Sequence, residues 1–164
     1  MKKHIAQSLT SLALTLLLTL GAAASAQAIT LGATYNPVTP NGQAFGVQAT
    51  YEALTLDLGD TPVTLGARLD ATTPLSFDLA PSVNLAVTAL LPADEGITAY
   101  AGTGIGRWVT TIDGEPCYDI TWTLHAGADI DIAQNLAVRA DFQAAPLIGD
   151  INLGIGLAYT LNLP

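Results

Sequence analysis

The segment from Ile151 to Leu163 alternates large apolar side chains with small or polar ones at every position. Because successive side chains of a β-strand point to opposite faces, this period of two predicts a strand and is incompatible with a helix. Seven other short segments repeat the pattern. The sequence therefore predicts an all-β domain, and its architecture depends on which of the two faces meets water.

The N-terminal segment has a different character. It begins with two lysines, continues with an apolar core at Leu12 to Leu20, and ends at the small residues Ala26 and Ala28. A basic start, a short apolar core and a small-x-small site predict a secretory signal peptide over residues 1–28. The core is too short to span a membrane as a helix. We therefore expect an exported protein whose mature domain is 29–164.

Turn-forming residues divide the mature chain into eight predicted strands, because Gly and Pro fall between the alternating segments. These strands are 29–35, 44–58, 63–71, 83–91, 97–112, 118–132, 136–144 and 151–163. In the second strand the apolar residues change face, which predicts a β-bulge near Glu52–Ala53. In the fifth strand the pattern leaves open which face Tyr100 and Trp108 take. With no helical period outside the signal peptide, the sequence predicts an antiparallel up-and-down β-barrel.

Two barrel architectures fit this alternation. A soluble barrel turns its apolar face inward, whereas a membrane barrel turns it toward lipid. Only 12% of the residues are charged, against about a quarter in a typical soluble chain, and the mean hydropathy is +0.43. The other face is mostly Gly, Ala, Thr and Asn, which suit the crowded interior of a narrow barrel. The composition favours an eight-stranded transmembrane β-barrel, and a secreted soluble barrel binding an apolar ligand is the alternative.

Two stretches resemble a known family. Residues 97–108 (ITAYAGTGIGRW) are similar to the PYxGxGxGY strand of small eight-stranded outer-membrane barrels, the OmpA/OmpW-like and opacity-protein-like group. Residues 127–142 are similar to the penultimate periplasmic hairpin of that group. The resemblance implies an outer-membrane location, contact with membrane lipid and assembly by the barrel-insertion machinery.

An even number of strands puts both termini on one side, which we expect to be the periplasm. The predicted periplasmic turns are then 59–62, 92–96 and 133–135. The predicted extracellular connections are 36–43, 72–82, 113–117 and 145–150. All of them are expected to be short. Long, aromatic or charged outer loops, which are typical of adhesins and receptors, are missing from the sequence.

Charged residues recur on the predicted inward face, and buried charges must be paired to be tolerated. The predicted interior charge network consists of Arg68, Asp70, Asp119, His125, Asp129, Asp131, Arg139 and Asp141. We expect each arginine to bind the aspartate two residues along and acids of neighbouring strands. Such a network plugs the barrel and fixes its register. A narrow proton or cation path is the alternative interpretation.

Other chemistries find little support. His125, the only mature histidine, has no nucleophile in register with it. The acids around it span too much strand to hold a metal. The glycines after Tyr100 lack the strand–turn–helix context of a phosphate-binding loop. Three mature arginines against 14 acids disfavour nucleic acid, and Cys117, the only cysteine, cannot form an intrachain disulfide. We expect no enzyme activity, no metal and no cofactor.

The sequence thus predicts an integral outer-membrane barrel with a structural or envelope-integrity role. A porin-like small-solute or ion pathway is the first alternative, and the secreted soluble barrel is the second. Neither composition nor pattern indicates a protein partner.

Overall fold

The computed structural model describes residues 28–59, 61–75, 80–113 and 115–163, which form a closed barrel of eight antiparallel strands in chain order. The strands are β1 (Ala28–Val38), β2 (Ala44–Leu58), β3 (Thr61–Pro74), β4 (Ser82–Asp94), β5 (Ile97–Ile112), β6 (Glu115–Ala133), β7 (Leu136–Ala145) and β8 (Asp150–Asn162). Pairing of β8 with β1 closes the sheet. The predicted all-β, eight-stranded antiparallel barrel is confirmed. Of the predicted signal peptide, residues 1–27 lie outside the described residues, and Ala28 begins β1.

Strand boundaries follow the sequence pattern closely. β2 and β5 begin and end at the predicted residues, and the others differ by a few positions. The pairing of β2 with β3 shifts register between Glu52 and Leu54, and the intervening Ala53 is buried. The predicted β-bulge is therefore confirmed. It lets two segments of β2 with opposite apolar parity present one continuous apolar exterior.

The apolar face of the barrel points outward. Along β8, Ile151, Leu153, Ile155 and Leu157 are exposed, whereas Asn152 and Ala158 are buried. In β5 the two aromatic residues, Tyr100 and Trp108, are buried inside. Buried polar residues outnumber buried apolar ones on the inner face. This is the arrangement of a membrane barrel, and it is the reverse of the one that a soluble barrel requires.

No helix in the described part of the chain is long and apolar enough to cross a membrane.

Two hairpins extend past the barrel rim. β5 pairs with β4 only as far as Arg107 opposite Val83, yet it continues to pair with β6 up to Ile112 opposite Glu115. The β5–β6 hairpin therefore projects at the end of the barrel opposite the termini. The β2–β3 hairpin projects at the other end, since its pairing continues to Leu58 opposite Thr61.

The projecting β5–β6 hairpin corrects one expectation. Residues 113–117 were predicted to be a short connection, but Glu115 to Cys117 belong to β6. The turn itself is short, whereas the hairpin that carries it is tall. Pro116 made the sequence pattern look like a turn instead of a strand. The proline is tolerated because this part of β6 is an edge, with no pairing to β7.

The outward apolar face yields a matched test of orientation. Ile155, midway along β8, and Ile112, near the tip of the β5–β6 hairpin, are 57% and 56% exposed. We expect Ile155→Arg to lower the free energy of unfolding in lipid vesicles by about 2–4 kcal/mol, the cost of an arginine near the bilayer midplane. Ile112→Arg, beyond the rim, should leave it nearly unchanged. The measurement is urea unfolding after refolding into vesicles, and equal costs at the two positions would contradict the membrane orientation.

Candidate functional site

Arg68 lies at the centre of the buried charges. Its Nε donates to Asp70 Oδ1 at 2.7 Å, and its Nη2 donates to Asp141 Oδ1 at 2.7 Å. Arg68 is 1% exposed. The first bond stays within β3, where residues two apart share a face. The second crosses the barrel to β7, which is not a neighbour of β3 in the sheet. Arg68 thus joins two strands that no backbone hydrogen bond connects.

Arg139 forms a second ion pair, with Asp129. The two residues are register partners on β7 and β6. Arg139 Nε and Nη2 donate to the two carboxylate oxygens of Asp129 at 2.7 and 2.6 Å, and Nη1 donates to Gln48 Oε1 at 2.9 Å. The carboxylate is therefore bound by two parallel bonds, the geometry in which a guanidinium binds most strongly. All three guanidinium nitrogens of Arg139 have an acceptor.

Two glutamines link the ion pairs into one network. Gln48 accepts from Arg139 and donates its Nε2 to Asp141 Oδ2 at 3.1 Å. Gln143 Nε2 donates to Asp141 Oδ2 at 3.0 Å and to Asp70 Oδ1 at 3.3 Å. Both amides are 5% exposed. The network is therefore continuous from Asp129 to Asp70 through the bore of the barrel.

Tyr100 fills the space between the two arginines. The Cζ atoms of Arg68 and Arg139 each lie 5.1 Å from the centre of its ring, within the range of a cation–π interaction. Its hydroxyl donates to Asp141 Oδ1 at 2.7 Å. The opposing residue on β6 is Gly127, and a Cβ there would overlap the Tyr100 hydroxyl. The absence of a side chain at Gly127 thus makes room for the ring.

The structure brings five of the eight predicted network residues into ion pairs with one another, and they are Arg68, Asp70, Asp129, Arg139 and Asp141. His125 is also buried, but it lies beside these pairs rather than in them. Its Nε2 shares a hydrogen bond of 2.8 Å with Thr88 Oγ1, and its Nδ1 has no hydrogen-bond partner among the described residues.

Two predicted members of the network lie elsewhere, and one pairing differs. Asp119 and Asp131 are both exposed. β6 has 19 residues, and Asp119 and Asp131 lie toward its two ends, where inward parity does not bring burial. Asp141 was expected to bind Arg139, two residues away, but it binds Arg68 across the bore. Each guanidinium nitrogen of Arg139 already donates to Asp129 or Gln48.

Sequence reasoning missed four members of the network: Gln48, Tyr100, Gln143 and Asn84, whose Nδ2 donates to Asp70 Oδ2 at 3.3 Å. Gln48 and Gln143 carry no charge, so a search for compensating ions passed over them. Their inward parity was visible in the sequence and could have identified them. Tyr100 sits among glycines on β5, where the pattern left the inward face open.

The two ends of the barrel differ. At the end of the termini, a cavity of about 330 Å³ opens to solvent, and its lining includes Glu52, Asp129 and Asp131 together with threonines of several strands. We call this cavity the vestibule. At the opposite end, the β1–β2 turn covers the mouth of the barrel. A hydrogen bond of 2.5 Å from Asn41 Nδ2 to the carbonyl oxygen of Val109 on β5 holds it there. Trp108 is buried near this turn. The network lies between the vestibule and the covered mouth.

Metal binding has no support within the described ranges, where no three His, Cys, Asp or Glu side chains are grouped to hold an ion. Cys117 is a free, partly exposed thiol on the β5–β6 hairpin.

No family model matches the chain, and no curated protein matches it. Solved structures do. The N-terminal β-barrel domain of Pseudomonas aeruginosa OprF is 12% identical, with 83% of this chain and 98% of that one covered and a TM-score of 0.54. A de novo designed transmembrane β-barrel is 14% identical, with 84% and 98% covered and a TM-score of 0.51. This chain therefore has the fold of the small transmembrane barrels, and the predicted resemblance to eight-stranded outer-membrane barrels is confirmed for the fold.

The ion pair of Arg139 and Asp129 provides a test of the network. Arg139→Ala should lower the free energy of unfolding by about 3–5 kcal/mol, because it leaves a buried carboxylate unpaired. Adding Asp129→Ala should restore part of that loss, since the unpaired charge is then removed. Asp131→Ala, an exposed acid on the same strand, should change stability by less than about 0.5 kcal/mol. Urea midpoints of the four proteins in one detergent give the comparison, and additive losses in the double variant would contradict the coupling.

Proposed function

We propose that this chain is an integral outer-membrane protein whose barrel is plugged by side chains and whose role is structural, in support of envelope integrity. One observation carries the proposal: a continuous network of two arginines, three aspartates, two glutamines and Tyr100 occupies the bore. An eight-stranded barrel is just wide enough for its side chains to fill. A bore filled in this way leaves no continuous space for a solute.

The location proposed is supported by two independent features. The outer surface is a band of exposed apolar residues, which only lipid would cover favourably. The sequence begins with a predicted export signal, and closed barrels of this fold are the β-structures that satisfy all their backbone groups within a membrane. Membrane lipid is thus the main partner, and the barrel-insertion machinery is the proposed route of assembly.

The structural role is supported by the direction of the ion pairs. Arg68 and Asp141 connect β3 with β7, and Gln48 connects β2 with β7 through Asp141. These strands are not neighbours in the sheet. Contacts across the bore resist flattening of the barrel, which hydrogen bonds between adjacent strands do not prevent. His125, the one histidine of the described barrel, contacts Thr88 beside the ion pairs.

The vestibule favours one alternative, a porin-like ion pathway. This cavity is open to solvent at the end of the termini and reaches as deep as Asp129. Its ionisable lining residues are acids, so a pathway through it would prefer cations. The path would have to continue past Tyr100 and the two arginines, and their satisfied contacts argue for a closed bore.

Conductance distinguishes a plug from a pathway. We expect the folded protein, inserted into planar bilayers, to produce no stepwise current, because the network blocks the bore. Insertion is verified by heat-modifiable migration of the same preparation on gels without boiling, and a large porin serves as the positive control. Cation-selective steps that Glu52→Gln reduces would overturn the plug and support the pathway.

A further inference from the structure

Arg107 stands apart from the other arginines. It follows the outward parity of β5, together with Thr103 and Ile105, and it is exposed. Arg68 and Arg139 are buried inside, so Arg107 is the one base on the exterior of the described barrel. Its register partners are Val83 on β4 and Ile120 on β6, both exposed apolar residues. A guanidinium therefore interrupts the apolar exterior.

The height of Arg107 is set by the strand pairing. β4 ends its pairing with β5 at Arg107, and only the β5–β6 hairpin continues beyond this level. Arg107 thus lies at the rim, where the apolar band ends. A charged group at this depth is at the boundary between hydrocarbon and headgroups, where an arginine is tolerated and a midplane arginine is not.

The Arg107 guanidinium is held in place, and no acid in the described part of the chain neutralises it. Nη2 donates to the carbonyl oxygen of Pro81 at 2.8 Å, and Cζ lies 5.7 Å from the centre of the Tyr118 ring. No carboxylate forms an ion pair with it among the residues that the structure describes. An arginine has five N–H donors. One is used, and the Tyr118 ring stabilises the position. The remaining donors have no acceptor among the described residues and can bind one from outside the barrel.

We propose that Arg107, supported by Tyr118 and the Pro81 carbonyl, binds the phosphate of an anionic lipid headgroup at the rim opposite the termini. The guanidinium fork matches a phosphate in charge and in bidentate geometry. The flanking Val83 and Ile120 are apolar and suit acyl chains below the headgroup. A free phosphate would gain the charge contact but not these apolar contacts, which is why a lipid is the occupant.

This inference rests on the proposed membrane location, and the test separates the two. Wild-type protein is first inserted into nanodiscs of phosphatidylcholine alone, and folding is checked by heat-modifiable migration. Failure to insert there would contradict the membrane location itself. Protein that inserts is then exchanged into neutral detergent containing phosphatidylglycerol and phosphatidylcholine with identical acyl chains, and the bound lipids are counted by native mass spectrometry.

We expect the wild type to retain phosphatidylglycerol over phosphatidylcholine by about fivefold, the effect of one basic residue at an anionic surface. Arg107→Gln should lose this preference, and Arg107→Lys should keep part of it through its charge. Tyr118→Leu should weaken it, whereas Tyr118→Phe should not. Ile112→Gln, a matched exposed position on the same strand beyond the rim, should behave as wild type.

Three results would overturn the proposal. The first is a wild type without preference for the anionic lipid. The second is a preference that survives in Arg107→Gln. The third is displacement of phosphatidylglycerol by millimolar inorganic phosphate, which would make Arg107 a free-anion site instead of a lipid site.

Discussion

The contact between Arg68 and Asp141 is the one on which the interior of this barrel depends. It brings a cation from β3 and an anion from β7 to 2.7 Å in the middle of the bore. A buried guanidinium is tolerated only when its donors are satisfied, and the surrounding residues serve that need. Asp70 accepts a hydrogen bond from a second donor of Arg68. Gln143 and Tyr100 both donate to the carboxylate of Asp141. Gly127 leaves the space that the Tyr100 ring requires. Most inward-facing side chains are small, and this leaves room in the bore for the few large ones.

Contacts across the bore also shape how such a barrel assembles. A partly formed sheet contains Arg68 without Asp141, because these residues come from strands that meet only when the barrel closes. Until closure, Arg68 has only Asp70 of its own strand as a partner, and Asp141 lacks its arginine. The Arg139–Asp129 pair needs only the pairing of β6 with β7. Closure of β1 on β8 therefore completes the interior by adding the contact between Arg68 and Asp141.

Strand parity determined most of what the sequence could predict, because alternation fixes which face a side chain takes. It identified eight strands, the bulge near Ala53 and the inward direction of Arg68 and Arg139. Parity does not give height along the barrel axis, which explains why Asp131 was grouped with Asp129 although it lies at the open mouth. It also does not give contacts between strands that are far apart in the sheet. The partners of Asp141 depend on the closed geometry and on side-chain reach, and no local pattern encodes either.

The vestibule exposes the network to solvent at one end of the barrel only. Asp129 lines this cavity, which is open to solvent, while the turn that carries Asn41 covers the other mouth. Ions dissolved on the side of the termini can reach Asp129 through the vestibule, although a partly buried ion pair is screened by salt much less than a surface pair. Ions on the opposite side meet the covered mouth and Trp108 first. A change of ionic strength on the side of the termini should thus weaken the Asp129–Arg139 pair slightly, and the same change on the opposite side should weaken it less.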